Sequence, residues 1–244
     1  MTPISGMSNF NQKLFGVMDR IEYRRIVSAE DFEDLSALRT KAYRRANMHV
    51  PSNGGLFIDE IDFDPNAYVF GIYCDEQLIS SIRIHHVTPD HRVSPARNLF
   101  PKEVDQFLDS GMTLIDPVRQ ASDPDMFDDL PALPYLTLRV AILAIEYFNA
   151  DRCLSFVPPR HVAFYKRVFG SKLVAGPLRN CKGYGIDFCL LAADIPNELP
   201  RVYRRYPFFR SQPFERRMMF APPEEQNALP LTVLPTARYM QAAS

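Results

Sequence analysis

Tryptophan is absent from this 244-residue chain, and cysteine and glycine are sparse, at four and ten residues. The cysteines, Cys74, Cys153, Cys181 and Cys189, show no CxxC or Cys/His spacing. That excludes a zinc-finger pattern and a disulfide framework, and it leaves reduced, mostly buried thiols as the expectation. An excess of one charge is missing too, because 28 Lys and Arg stand against 29 Asp and Glu, a net charge of -1. Neutralising a phosphate backbone requires a pronounced basic surface, so nucleic-acid binding is excluded as the main role, with local basic patches still open. No segment approaches the roughly 18 apolar residues of a membrane helix. The opening MTPISGMSNFNQKLFGVMDR also lacks the basic start and apolar core of a secretion signal, so a cytoplasmic protein without a membrane span is expected.

What is present is ordinary for a globular protein: 46% hydrophobic and 12% aromatic residues, and enough length for one large domain. Residues 1–20 read as a loose or helical leader. IEYRRIV (21–27) alternates as a strand, and SAEDFEDLSALRTKAYRRAN follows as an amphipathic helix with Ser28 and Asp31 at capping positions. VPSNGG (50–55) breaks the pattern. AYVFGIYCD and QLISSIRIHHV form a hairpin across Asp75-Glu76, and a short helix is expected near 101–109. MTLIDPVRQAS reads as a strand in which Pro117 points to an edge or a bulge. YLTLRVAILAIEYFNA (135–150) is apolar almost all round, which predicts a buried helix. Strand RCLSFVP, helix PRHVAFYKRVFG ending at Gly170, and strands KLVAG and YGIDFCLLAAD complete the order βα, ββ, β, α, β, α, ββ. Residues 195–244 are rich in proline and arginine with weak periodicity. They are expected to be an arm packed on the domain or a partner subunit, or a basic docking surface.

Five carboxylates fall between Asp59 and Asp75, a density that by default marks a solvated turn. Their spacing acquires a second meaning beside other residues. Arg39 precedes Tyr43 by four; Asp59-x-x-Asp62 precedes Tyr68; Arg83 lies near the end of the second hairpin strand; Asp116-x-x-Arg119 lies on a later strand. In this order the residues resemble the pattern of the acyl-homoserine-lactone (autoinducer) synthases, with Asp116 at a glutamate position. LPYLTLRVAILA and PPRHVAFYKRVFG resemble the N-acyl amino acid synthases of the FeeM type. Both groups belong to the GNAT acyltransferase superfamily, and the resemblance covers about residues 21–194.

The resemblance implies an α/β, GNAT-like fold, a central mixed and mostly antiparallel sheet flanked by helices, with no bound cofactor and no metal. The activity it implies is transfer of a fatty acyl group from acyl-acyl carrier protein, through its acyl-phosphopantetheine, to the amine of a small acceptor. The absent tryptophan and the FeeM-like second half favour an N-acyl amino acid as product. Lactone synthesis from S-adenosylmethionine is the enzymatic alternative, and a non-catalytic acyl-chain or carrier-binding module is the other.

The chemistry can be weighed on the residues themselves. Acetyltransferases of this fold hold the coenzyme A pyrophosphate at a glycine-rich helix N-terminus. Here DPDMFDDLPALPYLTLRV has no glycine, several prolines and four aspartates, all unsuited to an anion. An acidic carrier protein would instead need basic residues near the thioester entrance, and Arg160, Lys166 and Arg167 are the candidates unless they are only a solvated helix face.

Asp116 is the expected proton acceptor, with Arg119 beside it, and a simple Asp-Pro turn is the alternative. His161 is a third catalytic candidate or a helix-start residue. Asp59 and Asp62 with Arg39 and Arg83 are expected as a charge-paired wall facing the amine, or as an ion network of architecture alone, and Tyr43 is a further substrate-binding candidate. Leu138, Ile142, Ile145, Phe156 and Phe164 are candidates for the acyl-chain pocket, or for plain core.

Overall fold

The computed structural model describes residues 7–50, 55–126, 130–181, 183–222 and 232–243. Most of the expected break at 50–55, and Asp128 and Asp129 of the acidic loop, lie outside the described residues. Eight strands form one sheet in the order β6-β7-β5-β4-β3-β2-β1-β8. The strands are β1 (Ile21–Arg25), β2 (Ala67–Cys74), β3 (Gln77–Val87), β4 (Leu114–Ser122), β5 (Arg152–Val157), β6 (Lys172–Leu178), β7 (Phe188–Asp194) and β8 (Thr232–Val233). Every pairing is antiparallel except β4 with β5. The sheet is therefore mixed and mostly antiparallel, as the GNAT-like reading requires.

Local signals explain the elements. Helix α1 (Asn9–Met18) lies within the expected leader and buries Leu14 and Met18. Helix α2 (Ala29–Arg45) starts at a reciprocal cap, in which Ser28 Oγ accepts from the Asp31 N–H and Asp31 accepts from the Ser28 N–H. Between β2 and β3 the turn residues Asp75 and Glu76 both have positive φ, 48° and 68°, the backbone a tight hairpin with right-handed strand twist needs. Helices α3 (Pro95–Leu99) and α4 (Pro101–Asp109) each begin on a proline, which lacks only a donor that a helix start cannot use.

Helix α5 (Leu133–Phe148) is buried along most of its length. Each of its enclosed leucines and isoleucines contributes about 1.5–3 kcal/mol of apolar burial. Helix α6 (Val162–Phe169) stops where Gly170 turns left-handed, at φ 67°.

The alternation of strand residues places the helices. Ser80 bonds Thr137 of α5, and Ile82 and Ile84 join the same core, whereas the intervening Arg83 meets Arg39's partner below α2. Helices α2, α3 and α4 thus cover one face, and α1, α5 and α6 the other.

Residues 195–220 carry more regular structure than their periodicity indicates: α7 (Ile195–Arg205) and α8 (Pro213–Phe220), joined by a turn at Pro207–Phe209. The prolines that obscure the pattern stand mostly at helix starts, where proline is compatible with the helix. Phe208, Phe209 and Phe220 are fully buried in the same core as α5, and β8 extends the main sheet.

Candidate active site

The site begins with a strand that leaves its neighbour. β4 pairs with β5 only at Leu114 with Arg152 and Ile115 with Cys153. Beyond that point the two strands are unpaired, and a gap opens through the middle of the sheet. β4 is central, so the expectation that Pro117 marks an edge is corrected: pairing to β5 has ended at Ile115, and on that side no ladder remains for the proline to interrupt. A bulge does follow. Ser81 pairs with Ala121 and Arg83 with Val118, so Arg119 and Gln120 together oppose the single Ile82, and Arg119 takes the unusual φ of 52°.

A cavity of about 650 Å³ fills the gap. On one face of the sheet its wall includes Pro134, Leu138, Phe164 and Tyr165. On the other it includes Tyr43, Met48, Arg119 and Tyr184. It is large enough for a drug-sized ligand.

Five charged residues meet beside the Arg119 wall. Arg39 holds Asp62 through two bonds of 2.9 Å and also donates to the Phe57 carbonyl. Arg83 reaches both Asp59 at 2.6 Å and Asp62 at 2.9 Å, and Arg119 donates to the other Asp59 oxygen at 2.6 Å. Burial by itself would raise Asp59, yet Arg83 and Arg119 hold its pKa down to about 2. Burial by itself would lower Arg119, but Tyr43, Tyr184 and Asp59 carry it above its usual range. The network joins α2, the 59–63 turn, β3 and β4, and presents one cation to the cavity. Arg119 also lies 5.0 Å from the Phe57 ring and 5.7 Å from that of Tyr184.

Comparison with known proteins fits this geometry. The sequence profile of the N-acyl amino acid synthase FeeM family matches residues 34–194. The chain belongs to that family. It is an acyltransferase, and the non-catalytic alternative is set aside.

Among solved structures, FeeM, an N-acyl amino acid synthase from uncultured soil microbes, superposes with a TM-score of 0.62 at 17% identity, over 76% of this chain and 97% of that one. TofI, solved with an inhibitor and MTA, gives 0.55 at 12% identity over 75% and 96%. BjaI, a CoA-dependent acyl-homoserine lactone synthase, gives 0.52 at 13% identity over 77% and 89%. At these identities the structures share the fold. No curated protein sequence matches the chain.

In this FeeM-family enzyme the expected site residues separate into groups. Arg39, Asp59, Asp62, Arg83 and Arg119 come together, and Tyr43 and Arg119 reach the cavity. Asp116 does not. Strand alternation turns it toward α3, where Oδ2 accepts from Ser94 Oγ at 2.6 Å and from the Ala96 N–H at 3.0 Å. It is 0% exposed, and burial raises its pKa against those two bonds and Arg83. Asp116 thus holds the start of α3 through Oδ2, its Oδ1 has no partner among the described residues, and it is not among the residues that line the cavity where the expected base would act.

His161 is exposed at the cavity and accepts from Arg160 Nε at 3.3 Å. Its partial enclosure and Arg160 lower its pKa, so it is neutral at pH 7. Arg160, Lys166 and Arg167 are exposed and without ion pairs among the described residues. Of the acyl-pocket candidates, Leu138, Phe156 and Phe164 line the large cavity, whereas Ile142 and Ile145 line a separate space of about 30 Å³.

Tyr184, which the sequence reading overlooked, is carried by a loop between Gly183 and Gly185, both at positive φ. The Gly-Tyr-Gly run was its available signal, since two such glycines can turn an aromatic out of a strand. None of the described helices is long and apolar enough to cross a membrane.

Proposed function

We propose that this chain moves a fatty acyl group from the phosphopantetheine thioester of an acyl carrier protein to the amine of an amino acid, releasing an N-acyl amino acid and a free thiol. The observation that carries this reading is the cavity through the sheet, apolar toward α5 and α6 and polar toward α2. Thioester and amine enter from opposite faces and meet between β4 and β5, which is the proximity the reaction needs.

The first turn of α5 argues for a carrier-bound donor. The Leu133 N–H is taken by the Leu130 carbonyl, Pro134 has none, and those of Tyr135 and Leu136 are both taken by Ala132. No free amide is left there to receive a coenzyme A pyrophosphate. Arg160 in the cavity wall, with Lys166 and Arg167 exposed on α6 and none of the three in an ion pair among the described residues, suits an acidic carrier instead.

On the other face, Nη1 of Arg119 and the hydroxyls of Tyr43 and Tyr184 have no hydrogen-bond partner among the described residues. A cation flanked by two phenols suits the acceptor's carboxylate, and so an amino acid. Neutral His161 takes the ammonium proton; the amine nitrogen then attacks the carbonyl carbon. The bulge at Arg119 and Gln120 leaves backbone unpaired beside the gap, where the oxyanion forms. Collapse breaks the C–S bond, and the thiolate leaves on the carrier arm and takes the second proton of the attacking nitrogen, which gives the amide and the free thiol.

The test is mass analysis of products from an acyl carrier protein thioester and pooled amino acids, with parallel coenzyme A and S-adenosylmethionine arms. N-acyl amino acids formed from the carrier thioester without S-adenosylmethionine are the expected result. A product that requires S-adenosylmethionine, or none in any arm, would sink the reading.

A further inference from the structure

The large cavity has a second, small neighbour, and the wall between them is built from one side chain of each of four elements. Pro117 of β4, Leu138 of α5, Ser155 of β5 and Tyr165 of α6 line both spaces. Behind this ring lie Ala141, Ile142, Ile145 and Phe169, around only about 30 Å³. That is room for a water-sized group, not for a run of methylenes.

The ring is also tied shut. Tyr165 Oη donates to Gln120 Oε1 at 3.4 Å, which connects α6 to the bulge of β4 across the gap. Ile142 and Ile145 were expected to touch the acyl chain, yet they stand on the far side of this barrier.

We propose that Leu138 and Tyr165 form a partition that sets the longest acyl chain the enzyme accepts, and that the chamber behind them is an extension used only when the partition opens. The inference rests on the acyl-transfer reading above. Its ligand class is the saturated acyl chain of a thioester donor, whose terminal methyl abuts Leu138 and the Tyr165 ring. A chain one or two methylenes longer must turn Leu138 aside and break the bond to Gln120. Tyr165→Phe keeps the ring and removes the tie. Leu138→Ala removes the barrier itself and joins the two spaces.

The experiment takes the full chain with a ladder of even-numbered acyl carrier protein thioesters and one accepted amino acid, and compares kcat/KM by length. Wild type is expected to show a sharp upper limit. Leu138→Ala moves that limit upward, with a gain of about fourfold for each methylene newly enclosed. Tyr165→Phe shifts it the same way by less, and serves as the deciding variant should Leu138→Ala fold poorly. Adding Ala141→Leu to Leu138→Ala refills the rear chamber and returns the limit to that of wild type.

An unchanged length profile in Tyr165→Phe and in whichever Leu138 variants fold, while wild type makes N-acyl product, overturns the partition. Absence of product from wild type at every length overturns the transfer reading itself, which keeps the two failures distinct.

Discussion

Two buried arginine networks stabilise this molecule, and they differ in how completely they are closed. Arg139 of α5 and Glu215 of α8 are both fully buried. The guanidinium also donates to the carbonyls of Phe208 and Arg210, and Glu215 accepts from the Thr236 N–H and hydroxyl. Every donor has a partner, and the pair joins the C-terminal segment to the central helix. The network of Arg39, Asp59, Asp62, Arg83 and Arg119 is buried at one end only. Arg39 and Asp62 are sealed, whereas the side chains of Asp59 and Arg119 are 32% and 16% exposed, and the Nε atoms of all three arginines lack a partner. A closed network has no capacity left for a ligand; the open one keeps some at Arg119, its member in the cavity wall. Burial of charge alone therefore does not distinguish architecture from function; access to the cavity does, and within this network Arg119 has it.

The contrast can be broken most forcefully at Glu215. Glu215→Ala leaves Arg139 buried without its partner and should cost about 3–5 kcal/mol, read by urea unfolding, while the amino-acid KM of the folded fraction stays as in wild type. On the cavity side, His161→Ala should lower kcat about a hundredfold with the melting temperature unchanged, since the residue is exposed; an unaltered kcat removes it as proton acceptor. Arg119→Gln should raise the amino-acid KM about tenfold and leave the donor KM alone. Equal rises in both would place Arg119 with architecture.

Asp116→Asn should cost about 1 kcal/mol through its bonds to Ser94 and Ala96, with kcat/KM within about twofold of wild type. A large loss of turnover without destabilisation would restore it as the base. The smallest effect concerns acid. Asp59 is depressed from 3.8 to about 2 when folded, so its stabilisation is complete above the unfolded value and is lost as pH falls from about 4 toward 2. Partial exposure screens it to about 1 kcal/mol, and Asp59→Asn should flatten that part of the pH–stability curve.

Legibility in the sequence followed the range of the interactions involved. The capping pair Ser28 and Asp31, the hairpin at Asp75-Glu76, the buried α5 and the stop at Gly170 are local, and each could be read from its own few residues. The C-terminal helices were obscured because prolines at their starts interrupt the periodicity, although Phe208, Phe209 and Phe220 are core residues. Within the site, the acid and arginine set was visible through its ordered spacing and family resemblance. Tyr165 and Ser155 carried no such pattern.

The amino-acid sequence by itself determined the order of the strands and main helices over residues 21–194, the poor fit of the segment before α5 to an anion, and the residues able to form a charged cluster, because propensity, capping and missing N–H groups are properties of short stretches. Tertiary structure alone decided where β4 parts from β5, that Asp116 faces α3 while Pro117 faces the cavity, and that Leu138 and Tyr165 line the same two spaces. Those outcomes depend on strand register and on contacts between residues far apart in the chain, and a shift of one residue in register would exchange the two faces.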